Sequence, residues 1–336
     1  MKHLLPPRKT YFRTNLHTHT NITDASKTPE EMKAFYKSRG YQILAITDHN
    51  VVIDFSHLND EDFLVLTGAE FNVNEEDFDR GCCKSAHFNF IAKRPDLLWQ
   101  PFLYAKQWNA AEYLKKAQID NMSQEHSAQA INAIIAEANR QGYLVMYNHP
   151  QWSLHNYEDY SQYKGLWAME IFNTGSASYG DSDNGNVYRD LLNLGNRLLP
   201  VCADDSHNEG AVAGGWIMVG ARELRYESVI SALENGDFYA TTGPEIYELA
   251  LDDQQLHIRC SDASAVTIES GLRFATRLKP TAPDKLLRSG TIDLSKWFAY
   301  CQSPDPRKEN RCWFRLVVHD AYGRKATSRA FFYDEL

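Results

Sequence analysis

From Phe12 to about Pro244, short apolar runs alternate with helical patterns, and this alternation constrains the fold more than any other feature. It is the signature of βα units built around a mainly parallel sheet. The runs include YQILAIT, FLVLTGAEF, HFNFIA, YLVMYNHP, WAMEIFN and RLLPVCADD. Helical patterns follow Thr28 and span Ala128 to Arg140, Val187 to Leu194 and Glu227 to Glu234. Thr28-Pro29-Glu30-Glu31 offers an N-cap, a proline at the first helical position and a capping-box glutamate. Met32, Phe35 and Tyr36 then form an apolar stripe, and Gly40 suits the turn beyond it.

Side chains that bind metals stand at the ends of these runs. They are His17 and His19 in NLHTHT, Asp24 in NITDAS, His49 in AITDHN, Glu70 in TGAEF, His149 in MYNHPQ, and Asp205 with His207 in CADDSH. His87, in SAHFNF, instead lies at the start of a run. Imidazole nitrogens and carboxylate oxygens are donors for borderline or hard divalent ions, and no cysteine joins them. In closed α/β barrels the carboxyl rim is where side chains from different strands converge. A metal-dependent hydrolase is the expectation. Asp48 and Asp204, each beside a proposed ligand, are expected either to orient ligand rings or to cap the next element.

Other polar residues near these motifs read more simply as structure or surface. Asn89 and Asn173 are expected in hydrogen-bonding structural roles, and Arg13, Lys27, Arg80 and Lys84 as solvated charges rather than phosphate receptors. The stretch between Ile91 and Ser127, rich in Trp, Tyr and Phe, reads as an insertion beside the rim (near 91–127): a lid, or helices packed on the barrel. Gly214-Gly215-Trp216 suits a pocket wall. After Gly243-Pro244 the pattern changes to short alternating strands such as LALDDQQLHIRC and CWFRLVVHDAYG, with no convincing helix. The division expected is a barrel over residues 1–244 and a small antiparallel, sandwich-like β domain over 245–336.

The formal net charge of −9 argues against broad binding to duplex nucleic acid, which needs a cationic face. It is compatible with a small anionic substrate, because bound ions reverse the local field. No run of about 18 apolar residues suggests a membrane span, and the start has no signal-peptide core. The six cysteines show no CxxC spacing, which fits reduced thiols and a cytoplasmic location.

At the metal motifs the sequence resembles the PHP family (polymerase and histidinol phosphatase domains). HxH followed five residues later by Asp matches His17, His19 and Asp24, and the TDH motif matches Thr47-Asp48-His49. The family's single glutamate matches Glu70, its isolated histidines match His87 and His149, and its final DxH matches Asp205-Ser206-His207. The resemblance spans roughly Phe12 to Pro244. It implies a distorted seven-stranded β/α barrel holding two to three divalent ions, with manganese, zinc and iron all compatible with these donors. By position it implies one ion on His17, His19, Glu70 and Asp205, a second on Glu70, His87 and His149, and a third on Asp24, His49 and His207. It further implies a metal-bridging hydroxide, held via Glu70 and Asp205, as the nucleophile.

The segment ENGDFYATTGP followed by a β domain resembles a branch containing phosphoesterase-like proteins and relatives that hydrolyse carbamate esters. Hydrolysis of a small phosphorylated metabolite or nucleotide is therefore the leading expectation. Hydrolysis of a carbamate, amide or carboxylic ester at the same centre is the alternative. The intact ligand set argues against an inactive binding scaffold, and the negative charge lowers the odds of a nuclease.

Overall fold

Thr28 opens the first long helix, Pro29–Lys37, through the expected capping box. Its hydroxyl accepts from the Glu31 N–H at 3.2 Å, and Glu31 accepts from the Thr28 N–H at 2.9 Å. Gly40 turns the chain with φ +78° into the strand Ile43–Ile46. That strand is buried on both faces: Ile43 and Ala45 enter one core, Leu44 and Ile46 another that contains Met32 and Tyr36 of the helix. Such two-sided burial explains why ILAI is a continuous apolar run rather than an alternating one. The helix Ala128–Gln141 follows the same logic, capped by Ser127 and ended by Gly142 at φ +106°. Its Ile131, Ile134, Ile135 and Ala138 share a core with Tyr143, Val145 and Tyr147 of the next strand.

The computed structural model describes residues 1–7, 11–76, 81–180, 184–282 and 285–336. Seven strands lie side by side in the order Leu199–Ala203, Ala168–Asn173, Tyr143–Tyr147, Ser85–Ala92, Leu64–Asn74, Ile43–Ile46 and Tyr11–Asn15. The expected parallel sheet is interrupted: Ser85–Ala92 runs antiparallel to both of its neighbours. Consequently Glu70 lies inside the eleven-residue strand Leu64–Asn74 rather than at its end, with Asn89 opposite it and Asn72 opposite His87. The two outer strands of this set meet through one parallel bridge, Thr18 to Ser206. The Asp205 N–H donates to His17 O at 3.0 Å and the His19 N–H to Ser206 O at 3.1 Å. No continuous ladder closes the sheet among the described residues.

The sheet does not stop at Tyr11–Asn15. It continues through Trp216–Gly220 and Phe238–Thr241 into Lys325–Ser328, Trp313–His319, Ala265–Ser270 and Thr276–Leu278. A second, four-stranded sheet of Lys2–His3, Ile246–Asp252, Gln255–Ala263 and Leu287–Asp293 shares a core with this extension. The C-terminal part also holds a helix, Ser295–Gln302, which the strand patterning did not predict. Its N-cap position is Leu294, with no side-chain cap, so the usual start signal is missing. Burial of Trp297, whose indole N–H donates to Ser270 Oγ at 3.1 Å, fixes it instead. No helix among the described residues is long and apolar enough to cross a membrane, and no disulfide joins the six cysteines.

Candidate metal centre

The loop after Tyr11–Asn15 carries His17, His19 and Asp24, and buried polar groups fix its path. Asn15 Oδ1 accepts from the His17 N–H at 2.9 Å. Asp48 accepts from the Thr20 N–H at 2.7 Å, the Thr20 hydroxyl at 2.6 Å and the Thr23 hydroxyl at 2.8 Å. Asp204 accepts from Asn15 Nδ2 at 2.6 Å, the Thr174 hydroxyl at 2.6 Å and the N–H groups of Ala213, Gly214 and Gly215 at 3.0 to 3.3 Å. Both carboxylates therefore brace ligand-bearing loops. Of the two roles expected for them, these contacts fit holding the adjoining loops, and among the described residues no ligand ring hydrogen-bonds to either.

Gly214-Gly215-Trp216 serves the same bracing rather than a pocket wall: a Cβ on Gly215 would come 2.6 Å from Phe172 Cδ1 and 3.1 Å from Cys202 Cβ. Gly215→Ala is expected to destabilise the fold by about 1–3 kcal/mol through overpacking. Denaturant unfolding measures this, and an unchanged midpoint would refute it.

All nine candidate donors meet in one place, and Glu70 is the hub. Glu70 Oε1 lies 2.9 Å from His87 Nδ1, 3.2 Å from His149 Nε2 and 3.3 Å from His17 Nε2. Its Oε2 lies 3.2 Å from His49 Nδ1 and 3.4 Å from His19 Nε2. Asp205 Oδ1 stands 3.1 Å from His19 Nε2 and 3.3 Å from His17 Nε2. Asp24 faces His49 Nε2 and His207 Nε2, each at 3.4 Å. Four donor groups among the described residues can each enclose a cation: His17, His19, Glu70 and Asp205; His19, Asp24, His49 and His207; His49, Glu70 and His87; and His17, His149 and Glu170.

These residues fit metal ions better than they fit one another. His17 Nδ1 is bound to Glu170 Oε1 at 2.7 Å, which leaves its Nε2 pointing at His19 Nε2, 3.2 Å away. Two such nitrogens satisfy each other only through a shared proton. Buried His19 Nδ1, His49 Nδ1 and Asp205 Oδ1 have no hydrogen-bond partner. Ligands about 2.0–2.1 Å from a tetrahedral ion stand roughly 3.3–3.4 Å apart, close to the separations seen here. The backbone adds a further sign. Asp205 and His149 take φ +52° and +22°, left-handed values that cost a non-glycine residue roughly 1–3 kcal/mol and gather at functional sites.

Protonation follows from the crowding. Burial disfavours charge on His19, and His207 and His49 reinforce this, so its pKa falls to about 3. Burial opposes the ionisation of Glu70 and Asp205, yet the surrounding imidazoles hold both well below the usual carboxylate range. For His207 burial again opposes charge, but Asp24 and Asp205 outweigh it and bring the pKa to about 9. In the metal-free protein His207 therefore carries a proton near neutral pH. An ion taken by its Nε2 must displace that proton. Manganese binding at about pH 7 is expected to release protons, from His207 and also from His17, His49 and His149, where burial opposes charge but neighbouring carboxylates outweigh it and raise the pKa. Calorimetry in two buffers of different ionisation heat measures this; identical heats would exclude His207 as a ligand.

Glu170 is the residue that sequence reasoning missed. It is fully buried, and it holds the His17 ring through Nδ1 and the His149 backbone N–H at 2.9 Å. Asn173 donates to it at 2.9 Å and also contacts Asp205, while Asn89 donates to Leu16 O at 3.0 Å, so both asparagines are structural as expected. Among the four cations considered, Arg13 lies over the Trp216 and Tyr41 rings, Lys27 pairs with Glu209, and Lys84 pairs with Asp159. Arg80 lies outside the described residues.

A cavity of about 500 Å³ opens onto the cluster. Its wall includes Tyr104, Lys106 and Trp108 from the 91–127 stretch, and Trp152. Trp108 stacks on His49 with ring centroids 5.7 Å apart, and Trp152 packs edge-on against His87 and His149 at 5.3 and 5.0 Å.

Comparison with known proteins places these observations in a family. Residues 15–191 match the model of the PHP domain. No curated protein matches the chain. Among solved structures, one similar chain is a two-domain Bacteroides vulgatus protein containing a predicted PHP-like metal-dependent phosphoesterase. It is 14% identical, with 95% of this chain and 94% of that chain covered and a TM-score of 0.46. Another is an amidohydrolase from Chromobacterium violaceum, 15% identical, with 59% and 88% covered and a TM-score of 0.38. Matched over residues 15–191, more than half of its length, the chain belongs to the PHP domain family of metal-dependent hydrolases.

Proposed function

We propose that the protein hydrolyses a phosphate ester of a small metabolite or nucleotide, using two to three manganese, zinc or iron ions. The observation that carries this reading is the convergence of nine donors around one buried carboxylate, Glu70, at the floor of a cavity sized for a small molecule. One ion would be held by His17, His19, Glu70 and Asp205, a second by Glu70, His87 and His149, and a third by Asp24, His49 and His207. When bound, such ions supply an acidified water and neutralise charge on phosphoryl oxygens.

The chain's own residues position these donors. Glu70 presents its two oxygens to different sets of imidazoles, and Asn148 steadies it by donating to Oε1 at 2.8 Å. Glu170 fixes the tautomer of His17 so that Nε2 faces inward. The aromatic residues around the mouth exclude bulk water and strengthen electrostatics inside. Residues 1–244 would form the catalytic unit, a distorted seven-stranded barrel, and residues 245–336 a β-rich extension that completes its sheet.

A panel of phosphomonoesters, nucleotides and an aryl phosphate, assayed with added manganese, tests the proposal. Metal-dependent phosphate release from at least one member is expected. Hydrolysis of a carbamate, amide or carboxylic ester at the same centre is the second reading; the aromatic walls suit it, while Lys106 in the lining does not. Turnover of aryl carbamates with no phosphate release anywhere in the panel would replace the first reading with the second.

A further inference from the structure

We propose that Lys106 and the indole N–H of Trp108 receive the anionic end of the substrate. The 101–110 segment would then be its specificity determinant. This rests on the phosphoesterase reading and narrows it to substrates bearing a dianionic phosphoryl group that reaches the cavity mouth.

Three observations converge on this segment. The segment is built into the site rather than draped over it. The Tyr104 hydroxyl accepts from Asn72 Nδ2 at 3.2 Å and Asn74 Nδ2 at 3.1 Å. Asn109 donates through its backbone to Ile22 O at 2.9 Å and through its side chain to Asn21 O at 2.8 Å, on the loop that carries Asp24. Between these ties Trp108 is held at φ +42°, an outlier for a bulky side chain. Strain of this kind persists only where the surroundings over-determine it.

The donors on this segment point to a ligand. Trp108 Nε1 is buried and has no hydrogen-bond partner, although its residue lines the cavity. An indole N–H usually finds an acceptor when buried. The parallel rings of Tyr104, Trp108 and His49 form one wall, with Lys106 Nζ 4.8 Å from the Trp108 ring centroid. Lys106 is the one lysine or arginine among the described residues lining this cavity.

Charge complementarity supports an anion. The lining carboxylates are Asp24, Glu70 and Asp205. Two divalent ions outweigh those three negative charges, and Lys106 adds to the surplus. A neutral carbamate would offer the exposed Lys106 ammonium no charge partner and would match this surplus less well than an anion.

The test uses manganese-loaded full-length protein and the variants Lys106→Ala, Lys106→Arg and Trp108→Phe. Inorganic phosphate binding is measured by calorimetry, and KM and kcat with a phosphomonoester. Lys106→Ala should weaken phosphate binding and raise KM about tenfold, with most of the loss in KM; Lys106→Arg should restore most of it. Trp108→Phe keeps an aromatic face on the wall, smaller than the indole, and removes the donor, and should raise KM about fivefold. Manganese affinity should hold in all three, which separates lost anion contacts from a collapsed centre.

If no phosphomonoester is turned over but phosphate binding still weakens in Lys106→Ala, the hydrolytic reading falls and the anion assignment stands. Phosphate binding and KM within twofold of the unsubstituted protein in Lys106→Ala and Trp108→Phe overturn the assignment. So does a failure of the unsubstituted protein to bind phosphate.

Discussion

Glu70→Gln is expected to lower kcat/KM by about 10³-fold or more and to release most bound metal. The two Glu70 oxygens face five imidazoles within 3.4 Å, in a position only 1% exposed. An amide of the same shape removes the charge that cations need. It also turns one acceptor into a donor aimed at ring nitrogens. Asp205 shares His17 and His19 with Glu70, but among the described residues His87 pairs with Glu70 and with neither Asp205 nor Asp24. Elemental analysis of the purified variant, with steady-state kinetics, measures both effects. A variant that keeps its metal and loses less than tenfold in kcat/KM would remove Glu70 from the centre of this scheme.

Glu170→Gln ranks second, with an expected loss of about 10- to 100-fold in metal affinity. The carboxylate accepts from His17 Nδ1 at 2.7 Å on one oxygen, and from the His149 and Asn173 N–H groups, each at 2.9 Å, on the other. A glutamine must turn its NH₂ toward one of these donors, leaving a buried clash worth about 1–3 kcal/mol. The His17 ring is then free to flip or to change tautomer. Metal titration followed by thermal unfolding distinguishes two roles. A residue that merely fills the core would lower stability yet leave the affinity for manganese unaltered.

The candidate ligands were legible because each belongs to a short motif beside an apolar run. Most of the donors stand where such a run ends, whereas Glu70 and His87 lie inside their strands and were read from the order of the motifs. Glu170 escaped because it sits within WAMEIFN, flanked by residues that read as ordinary strand core. A buried carboxylate inside an apolar run was the available signal, since an acid there needs a partner. Lys106 escaped because its role depends on where a long connection folds back, which periodicity does not encode.

The helices at Pro29–Lys37 and Ala128–Gln141 could be read from their caps. Ser295–Gln302 has no cap and owes its existence to one buried indole, a tertiary effect. Strand direction was similarly hidden. FLVLTGAEF and HFNFIA look alike whether they run together or opposed, and pairing alone settles that Ser85–Ala92 is reversed.

The strand Phe238–Thr241 hydrogen-bonds on one flank to Trp216–Val219 and on the other to Ala326–Ser328. Cutting the chain after Pro244 would strip that second flank and leave a bare row of amide and carbonyl groups on a segment reading FYAT. Unprotected margins of this sort recruit other molecules by strand addition. A shortened enzyme would thus tend to clump during expression unless lysine or proline were introduced along the exposed row. The tail is in this sense a sheath, whatever else it binds.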